Sequence, residues 1–157
     1  MILCSNPKAQ YLAHKDEIDS AIGAVLSKCQ LILGENVCAF EKEFSEYIGS
    51  KYCVGVGNGT DALFLAMHAM GLGPGDEVIA PSHTATATIA AISMTGATPI
   101  LVDVDPIYHT IAPFSISKSI TPKTKAVIVV HMYGQAADMD EIVSIVYQNN
   151  LRLIEDC

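Results

Sequence analysis

The sequence predicts an α/β fold with a mostly parallel sheet and helices on both faces. Beyond residue 50, short apolar runs alternate with segments of helical periodicity, the order expected when crossover helices join parallel strands. The run at residues 126–130 is apolar at every position, which is typical of a strand buried on both faces. Turn residues separate these units, at residues 71–76 before one run and at residues 96–97 before the next.

The first fifty residues are predicted to form a helical segment of their own. Apolar residues recur at helical spacing over residues 12–29, and again among acidic residues over residues 37–48. Gly49 follows the second pattern, and glycine often ends a helix because it adopts a left-handed conformation at little cost. We therefore divide the chain into a helical segment, residues 1–50, and part of an α/β domain, residues 51–157.

Five strands and four helices are predicted in the α/β part. The strands cover residues 52–56, 77–80, 99–104, 125–130 and 151–154, and the helices cover residues 60–70, 84–95, 113–120 and 138–148. The last apolar run stands just before the end of the sequence, whereas a parallel sheet needs a covering helix after such a strand. We therefore expect a truncated domain, the first part of a longer protein.

Charge and composition argue against several classes of partner. Asp and Glu number 17 against 9 Lys and Arg, a formal net charge of -8 that disfavours binding to DNA or RNA. No apolar run approaches the roughly 18 residues of a membrane span, and no signal peptide is recognisable. The five cysteines form no CxxC pair, which argues against a zinc site and a disulfide framework. We expect a cytoplasmic protein that binds neither nucleic acid nor a membrane.

The most informative stretch is the glycine-rich loop Gly-Asn-Gly-Thr-Asp at residues 57–61. It joins an apolar run to a predicted helix, so free backbone N–H groups and the positive end of the helix dipole would meet there, which suits a phosphate group. The stretch alone leaves open an alternative in which Thr60 caps the helix and the glycines make a tight turn. The loop does not match the glycine pattern of dinucleotide-binding folds, because Thr60 stands at the position of the third glycine. It also lacks the lysine of a P-loop.

Other polar residues follow the predicted strands, and ligands of open parallel sheets bind beyond the carboxyl ends of the strands. The stretches to inspect are residues 57–61, 81–84, 103–105, 131–135 and 155–156. Because these stretches should meet at one edge of the sheet, we expect the functional residues among them.

The order of these motifs resembles that of the DegT/DnrJ/EryC1/StrS family of pyridoxal-phosphate (PLP) sugar aminotransferases. The matching motifs are GNGTDAL at 57–63, GLGPGDEVI at 71–79, PSHT at 81–84, GATP at 96–99, VDVD at 102–105, ITPKTKA at 120–126, HMYGQAADM at 131–139 and IEDC at 154–157. They occur in order, without large gaps, from about residue 31 to the end of the chain. The resemblance implies the large domain of a type I PLP-dependent transferase, with pyridoxal 5'-phosphate as cofactor and the C-terminal small domain absent.

The resemblance also implies roles for five residues in binding the cofactor. Gly59, Thr60 and Asp61 would hold its phosphate, through the Thr60 hydroxyl and the N–H groups of Thr60 and Asp61. His83 would stack on the pyridine ring, although a histidine after a strand is more often a hydrogen-bonded loop residue. Asp156 would pair with the protonated pyridine nitrogen and keep the ring able to accept electrons, whereas an isolated acid there would otherwise be a surface residue.

No residue of this sequence matches the family's catalytic lysine, which lies a few tens of residues beyond the position of Asp156. The eight lysines present fall at positions that resemble helix, turn or surface sites. We therefore expect no catalytic residue in this chain and no turnover by it alone. A non-catalytic remnant or phosphate-binding module stays open as an alternative, as does a complete small nucleotide-binding protein.

The family resemblance implies partners as well. The substrates would be a nucleotide-linked keto-sugar and an amino donor, most simply glutamate. Residues 81–84, with Ala87 and Thr88, are most similar to members that aminate a dTDP-linked 3-keto-6-deoxyhexose. Family members are homodimers that share residues between active sites, and the apolar residues 31–33 would lie either in that interface or in the core.

Overall fold

The computed structural model describes residues 4–157, which divide into two compact units. The first unit ends at Gly55, and the second runs from Val56 to Cys157. No helix within the described residues is both long enough and apolar enough to cross a bilayer.

The first unit consists of three helices, α1 (Pro7–Ala13), α2 (Lys15–Lys28) and α3 (Glu35–Ile48). The single helix predicted over residues 12–29 is interrupted at His14, and a separate helix precedes it. Asn6 accepts a hydrogen bond from the Ala9 N–H group at 3.1 Å, and Pro7 occupies the first turn, both of which favour a helix start there. None of the three helices has a buried residue.

Gly49 ends α3 as the sequence predicts, with a φ of 77° in the left-handed region. The Ser45 carbonyl accepts hydrogen bonds from the N–H groups of both Gly49 and Ser50, at 2.9 and 3.0 Å. These bonds satisfy one of the carbonyl groups that a helix end otherwise leaves free.

The second unit contains a four-stranded parallel sheet in the order β2-β1-β3-β4. Its strands are β1 (Glu77–Pro81), β2 (Thr98–Val102), β3 (Thr124–Val130) and β4 (Arg152–Asp156). Pro81 is in register with Val102, and Val130 with Asp156, so that the carboxyl ends of all four strands lie at one edge. We call this the carboxyl edge, and the opposite one the amino edge.

Helices cover both faces of this sheet, which confirms the predicted α/β architecture. They are α4 (Gly59–Ala69), α5 (Thr86–Met94), α6 (Pro113–Ser119) and α7 (Met139–Gln148). Successive strand residues point to opposite faces, so Val78 and Ile128 pack in a core with α4 and α5, whereas Ile79 and Val127 pack in a second core with α6 and α7. Both cores are fully buried at the centre of the sheet, as the continuous apolar runs predict.

The first predicted strand, residues 52–56, is wrong. These residues form no strand in the structure, and Tyr52 and Val54 are each 74% exposed. Instead, the Gly55 N–H group donates to Glu41 Oε1 at 2.7 Å. A strand requires a neighbouring backbone that completes its hydrogen bonds, and a local apolar pattern carries no information on whether that neighbour exists.

The connection between β2 and α6 is a small hairpin. The strand predicted over residues 99–104 ends at Val102, and Val104 then forms an isolated antiparallel bridge with Ile111. At its tip, Asp105 accepts hydrogen bonds from the N–H groups of Ile107 and Tyr108, both at 2.8 Å. These bonds stabilise the charged carboxylate and so lower the pKa of Asp105. The bond from Tyr108 has the larger effect, followed by that from Ile107.

Candidate functional site

The first turn of α4 lies at the carboxyl edge of the sheet. A loop joins the C-terminal end of α4 to the amino end of β1, so the helix runs back across the sheet. Its 11 residues span about 16 Å at roughly 1.5 Å per residue. The five residues of β1 span about the same length, at roughly 3.3 Å each. The helix therefore brings Gly59 to the edge where the strands end.

The helix start is capped by Asn58, so the alternative in which Thr60 caps it is wrong. Asn58 Oδ1 accepts the N–H group of Asp61 at 2.9 Å, and Asn58 Nδ2 donates to Asp61 Oδ2 at 2.9 Å. The Asp61 N–H group, to which the family resemblance gave a role in holding the phosphate, is thus already bonded. The N–H groups of Gly59 and Thr60 have no hydrogen-bond partner within residues 4–157, and these are the groups that could bind an anion.

The two glycines of the loop have different surroundings. A Cβ atom at Gly57 would lie 2.8 Å from Asp61 Oδ2, too close to fit without moving that carboxylate. A Cβ atom at Gly59 would meet no other atom within 4 Å. The Cβ position of Gly59 is therefore open, whereas the Asp61 carboxylate lies close to the backbone of Gly57.

His83 lies two residues beyond the end of β1, exposed at the carboxyl edge. Its Nε2 atom is 3.0 Å from the hydroxyl oxygen of Tyr133, which belongs to the turn that follows β3. The His109 ring, from the hairpin after β2, stands edge-on with its centroid 6.1 Å away. The sequence placed Tyr133 near this edge, within the HMYG motif, with a structural or substrate-proximal role, and it assigned no role to His109.

Asp156 is the last residue of β4 and lies opposite Val130. Alternation along the strand puts its side chain on the same face as Ile154, which is the face covered by α4 and α5. The side chain is half-buried, and its carboxylate forms no hydrogen bond within the described chain. The main-chain oxygen of Asp156 accepts the His131 N–H group at 3.0 Å.

His131, for which the sequence predicted a structural or substrate-proximal role near this edge, connects the ends of β3 and β4. Its Nδ1 atom accepts the N–H group of Ala137 at 3.2 Å, and its Nε2 atom is 3.2 Å from Glu155 Oε2. Because a backbone N–H group can only donate, the neutral imidazole carries its proton on Nε2 and donates it to Glu155. The His131 side chain is 14% exposed, whereas that of Glu155 is 49% exposed, so the bond to Ala137 is the more protected of the two.

The lysines of the second unit are far from these residues. Lys118 is in the last turn of α6, and Lys123 and Lys125 flank the start of β3, so all three lie toward the amino edge. Within residues 56–157, no lysine lies at the carboxyl edge.

Together the residues of the carboxyl edge fit pyridoxal phosphate. Free N–H groups at the start of an 11-residue helix suit a phosphate, the exposed ring of His83 suits a flat heterocycle, and the unpaired Asp156 carboxylate suits a protonated ring nitrogen. Pyridoxal phosphate carries these three groups on one molecule. Both His83 and Asp156 reach the edge from strand ends, as the sequence predicts.

Comparison with known proteins agrees with a site for pyridoxal phosphate. A family model, described as the DegT/DnrJ/EryC1/StrS aminotransferase family, matches residues 13–157. A dTDP-3-amino-3,6-dideoxy-alpha-D-galactopyranose transaminase from Aneurinibacillus thermoaerophilus is 49% identical over 146 residues, which are 93% of this chain and 40% of that protein. This chain thus spans about 40% of the length of that curated relative.

Solved structures of aminotransferases are also similar to this chain. The crystal structure of S. venezuelae DesV in complex with a ketimine intermediate has a TM-score of 0.94 and 43% identity, over 96% of this chain and 41% of DesV. The structure of NtdA from Bacillus subtilis with bound cofactor PMP has a TM-score of 0.89 and 37% identity, over 92% of this chain and 33% of NtdA. At these identities the likeness extends beyond the fold to the family.

Proposed function

Because this chain belongs to the DegT/DnrJ/EryC1/StrS aminotransferase family, we propose that it forms the cofactor-binding part of a PLP-dependent nucleotide-sugar aminotransferase. The observation that carries this proposal is that the Gly59 and Thr60 N–H groups and the Asp156 carboxylate all lie at the carboxyl edge, without hydrogen-bond partners among residues 4–157. When bound, the cofactor supplies an electron sink for moving an amino group. The protein residues bind and orient it.

The phosphate is held by the first turn of α4. The N–H groups of Gly59 and Thr60 donate to it, the half-buried Thr60 hydroxyl adds a third donor, and the helix dipole favours its negative charge. Asp61 contributes through its two bonds with Asn58, which fix the loop before the ligand arrives.

The ring is held by His83 and Asp156. The exposed imidazole packs on one face of the ring, and the Asp156 carboxylate accepts a hydrogen bond from the protonated ring nitrogen. Neither side chain needs to break an existing charge pair to do this, since the structure gives Asp156 no partner within residues 4–157 and His83 only the Tyr133 hydroxyl.

Amino transfer also requires a lysine that moves protons, and the carboxyl edge of residues 56–157 has none. We therefore propose that these 157 residues bind the cofactor without turnover. Reduction with borohydride in the presence of PLP, followed by peptide mapping, tests this point. We expect no lysine to be labelled above the level of the others, whereas stoichiometric labelling of a single lysine would refute it.

The binding site is tested with pyridoxamine 5'-phosphate (PMP), whose amine forms no adduct with lysines. We expect saturable binding to the purified protein by calorimetry, and much weaker binding of pyridoxamine, which lacks the phosphate. Thr60→Val should weaken PMP binding by about fivefold, the value of one hydrogen bond. Thr98→Val, at the amino edge, is the matched control and should leave binding unchanged. Equal effects of both changes would contradict the site.

A phosphate-binding module without chemistry is the second candidate, because the second unit places no lysine at the carboxyl edge. Such a module would bind inorganic phosphate as tightly as PMP and would not respond to Asp156→Asn. If the protein is part of an aminotransferase, we expect it to bind PMP more tightly than inorganic phosphate. Asp156→Asn should then reduce this preference for PMP. Sequencing the gene beyond the codon for Cys157 also separates the two, since the enzyme requires a further lysine and a small domain there.

The names of the relatives support a proposal for the substrates. The A. thermoaerophilus relative is named for a dTDP-linked amino sugar, which supports a nucleotide-linked keto-sugar as acceptor for this protein. We propose a dTDP-linked 3-keto-6-deoxyhexose, with glutamate as amino donor. Coupled assays of the enzyme with dTDP-, UDP- and GDP-linked keto-sugars would test the choice of nucleotide, and no preference for dTDP would overturn it.

The active protein is proposed to be a cytoplasmic homodimer. All five cysteines are free, which suits a reducing compartment. The helices of the first unit have no buried residue, and Phe40 and Phe44 of α3 are exposed, so apolar surface is available for a second copy. Sedimentation velocity across protein concentrations tests the dimer, and a purely monomeric species would refute it.

A further inference from the structure

Tyr133 has a backbone conformation that is unusual for its residue type. Its φ and ψ are 58° and 22°, and the following Gly134 has a φ of 77°, so both residues lie in the left-handed region. The N–H groups of Gly134 and Gln135 donate to the carbonyls of His131 and Met132 at 3.2 and 3.0 Å, which makes two overlapping turns. Glycine or asparagine is favoured in such a turn, and a bulky side chain there is strained.

The left-handed conformation directs the Tyr133 side chain toward the end of another strand. Its hydroxyl oxygen lies 3.0 Å from His83 Nε2, a contact between residues 50 positions apart. The two ring centroids are 5.8 Å apart with the planes at 50°, so the rings touch through the hydroxyl group without stacking face to face. Within residues 4–157, His83 forms no other side-chain hydrogen bond.

The same turn is anchored to the strand that carries Asp156. Its first residue, His131, donates its N–H group to the Asp156 main-chain oxygen at 3.0 Å, and its ring joins Glu155 to the Ala137 N–H group. One short turn therefore contacts both residues that are proposed to hold the cofactor ring.

We propose that Tyr133 is a positioning residue for His83. This inference rests on the proposed function, and it adds a residue whose role is to set the plane of the imidazole before the cofactor binds. An exposed histidine on a loop otherwise rotates freely about its side-chain bonds. A tyrosine hydroxyl both donates and accepts, so it holds His83 in either neutral tautomer and also when the imidazole is protonated. The left-handed backbone at Tyr133 is maintained because it brings the hydroxyl within reach.

Tyr133→Phe tests the proposal, because it removes the hydroxyl oxygen alone. Tyr147→Phe is the matched control, since Tyr147 is an exposed tyrosine on α7 whose hydroxyl has no partner in the described part of the chain. The first readout needs no cofactor: the ¹⁵N resonance of His83 Nε2, assigned with a His83→Gln variant, and the line width of the ring signals. The second readout is the dissociation constant of PMP.

We expect Tyr133→Phe to shift the Nε2 resonance and broaden the ring signals, and to weaken PMP binding by about fivefold, the value of one hydrogen bond. Tyr147→Phe should match the wild type in both. If Tyr133→Phe shifts the His83 Nε2 resonance but the wild type binds no PMP, the proposed function fails while the contact between Tyr133 and His83 is confirmed. If Tyr133→Phe leaves the Nε2 resonance unchanged, or if both variants shift it equally, the positioning role is overturned.

Discussion

Asn58 and Asp61 hold each other through two hydrogen bonds at the start of α4. The Asn58 amide oxygen accepts from the Asp61 backbone, and the Asn58 amide nitrogen donates to the Asp61 carboxylate, both at 2.9 Å. This reciprocal arrangement, related to a capping box, uses one helix N–H group and gives a donor to the carboxylate beside the proposed phosphate position. It leaves the Gly59 and Thr60 N–H groups free, so the loop is preorganised for an anion.

Asn58→Ala should destabilise the protein, because the Asp61 N–H group loses its partner and the carboxylate loses its donor. We expect a loss of about 1 kcal/mol in the free energy of unfolding, the usual value of an N-cap. Asn36→Ala in α3 is the control, since that exposed side chain caps nothing, and its effect should stay within about 0.5 kcal/mol. Both are measured by urea unfolding, and equal stabilities of the two variants would contradict the role of Asn58.

The two loop glycines form a matched pair for a steric test. Gly57→Ala brings a Cβ atom within 2.8 Å of Asp61 Oδ2, so that this carboxylate must shift and its bond to Asn58 is weakened. We expect a cost of about 1 kcal/mol in the free energy of unfolding. Gly59→Ala places its Cβ atom in open space and should not destabilise the fold. Thermal unfolding of both variants measures the difference in stability. If Gly57→Ala is as stable as Gly59→Ala, the loop relaxes around the added atom and the prediction is wrong.

The hairpin after β2 should respond to pH through Asp105. The N–H groups of Tyr108 and Ile107 lower the pKa of this carboxyl in the folded state, so its stabilising effect is present at pH values above the ordinary Asp value of about 3.9. The effect is lost as the pH falls through the lower, folded value. Asp105→Asn should therefore be less stable than the wild type at neutral pH and equal to it in strong acid. A stability difference that does not change with pH would contradict this assignment.

His131 should matter for stability more than an exposed histidine does. His131→Phe keeps the ring volume but leaves the Ala137 N–H group without its acceptor and removes the bond to Glu155. We expect a loss of about 1–3 kcal/mol, the cost of an unsatisfied buried donor. His68→Phe is the control, because its exposed ring on α4 only stacks on Phe64. The free energies of unfolding of both variants are measured in guanidinium. A His131→Phe variant as stable as the wild type would refute a stabilising role for the His131 hydrogen bonds.

Much of the fold was predictable because local signals and the global fold agree. The apolar run at residues 126–130 identified the central strand, and Gly49 identified a helix end, since each depends on a physical preference of the residues themselves. The strand predicted at residues 52–56 failed because pairing depends on a partner that its own sequence does not describe. The family resemblance named His83 and Asp156, and the structure places both at the carboxyl edge, where the ends of the parallel strands meet. Their roles in binding stay predictions.

The remaining site contacts depend on three-dimensional placement and were not predictable. The Thr60 hydroxyl and the Asn58 amide are both reasonable caps from sequence, and the geometry selects Asn58. No sequence rule assigns a left-handed conformation to Tyr133, because tyrosine disfavours it. Its contact with His83 joins residues from two different strand ends, which a linear motif does not show.

The central claim is that pyridoxal phosphate binds at the carboxyl edge, with its phosphate on the first turn of α4. The most direct measurement is a titration of the ¹⁵N-labelled protein with PMP, followed through the backbone amide resonances. We predict saturable shifts that are largest at Gly59 and Thr60 and are absent at Thr86 and Ala87, which begin α5 at the same edge. Shifts that are absent at Gly59 and Thr60, or no larger there than at the start of α5, would contradict the account.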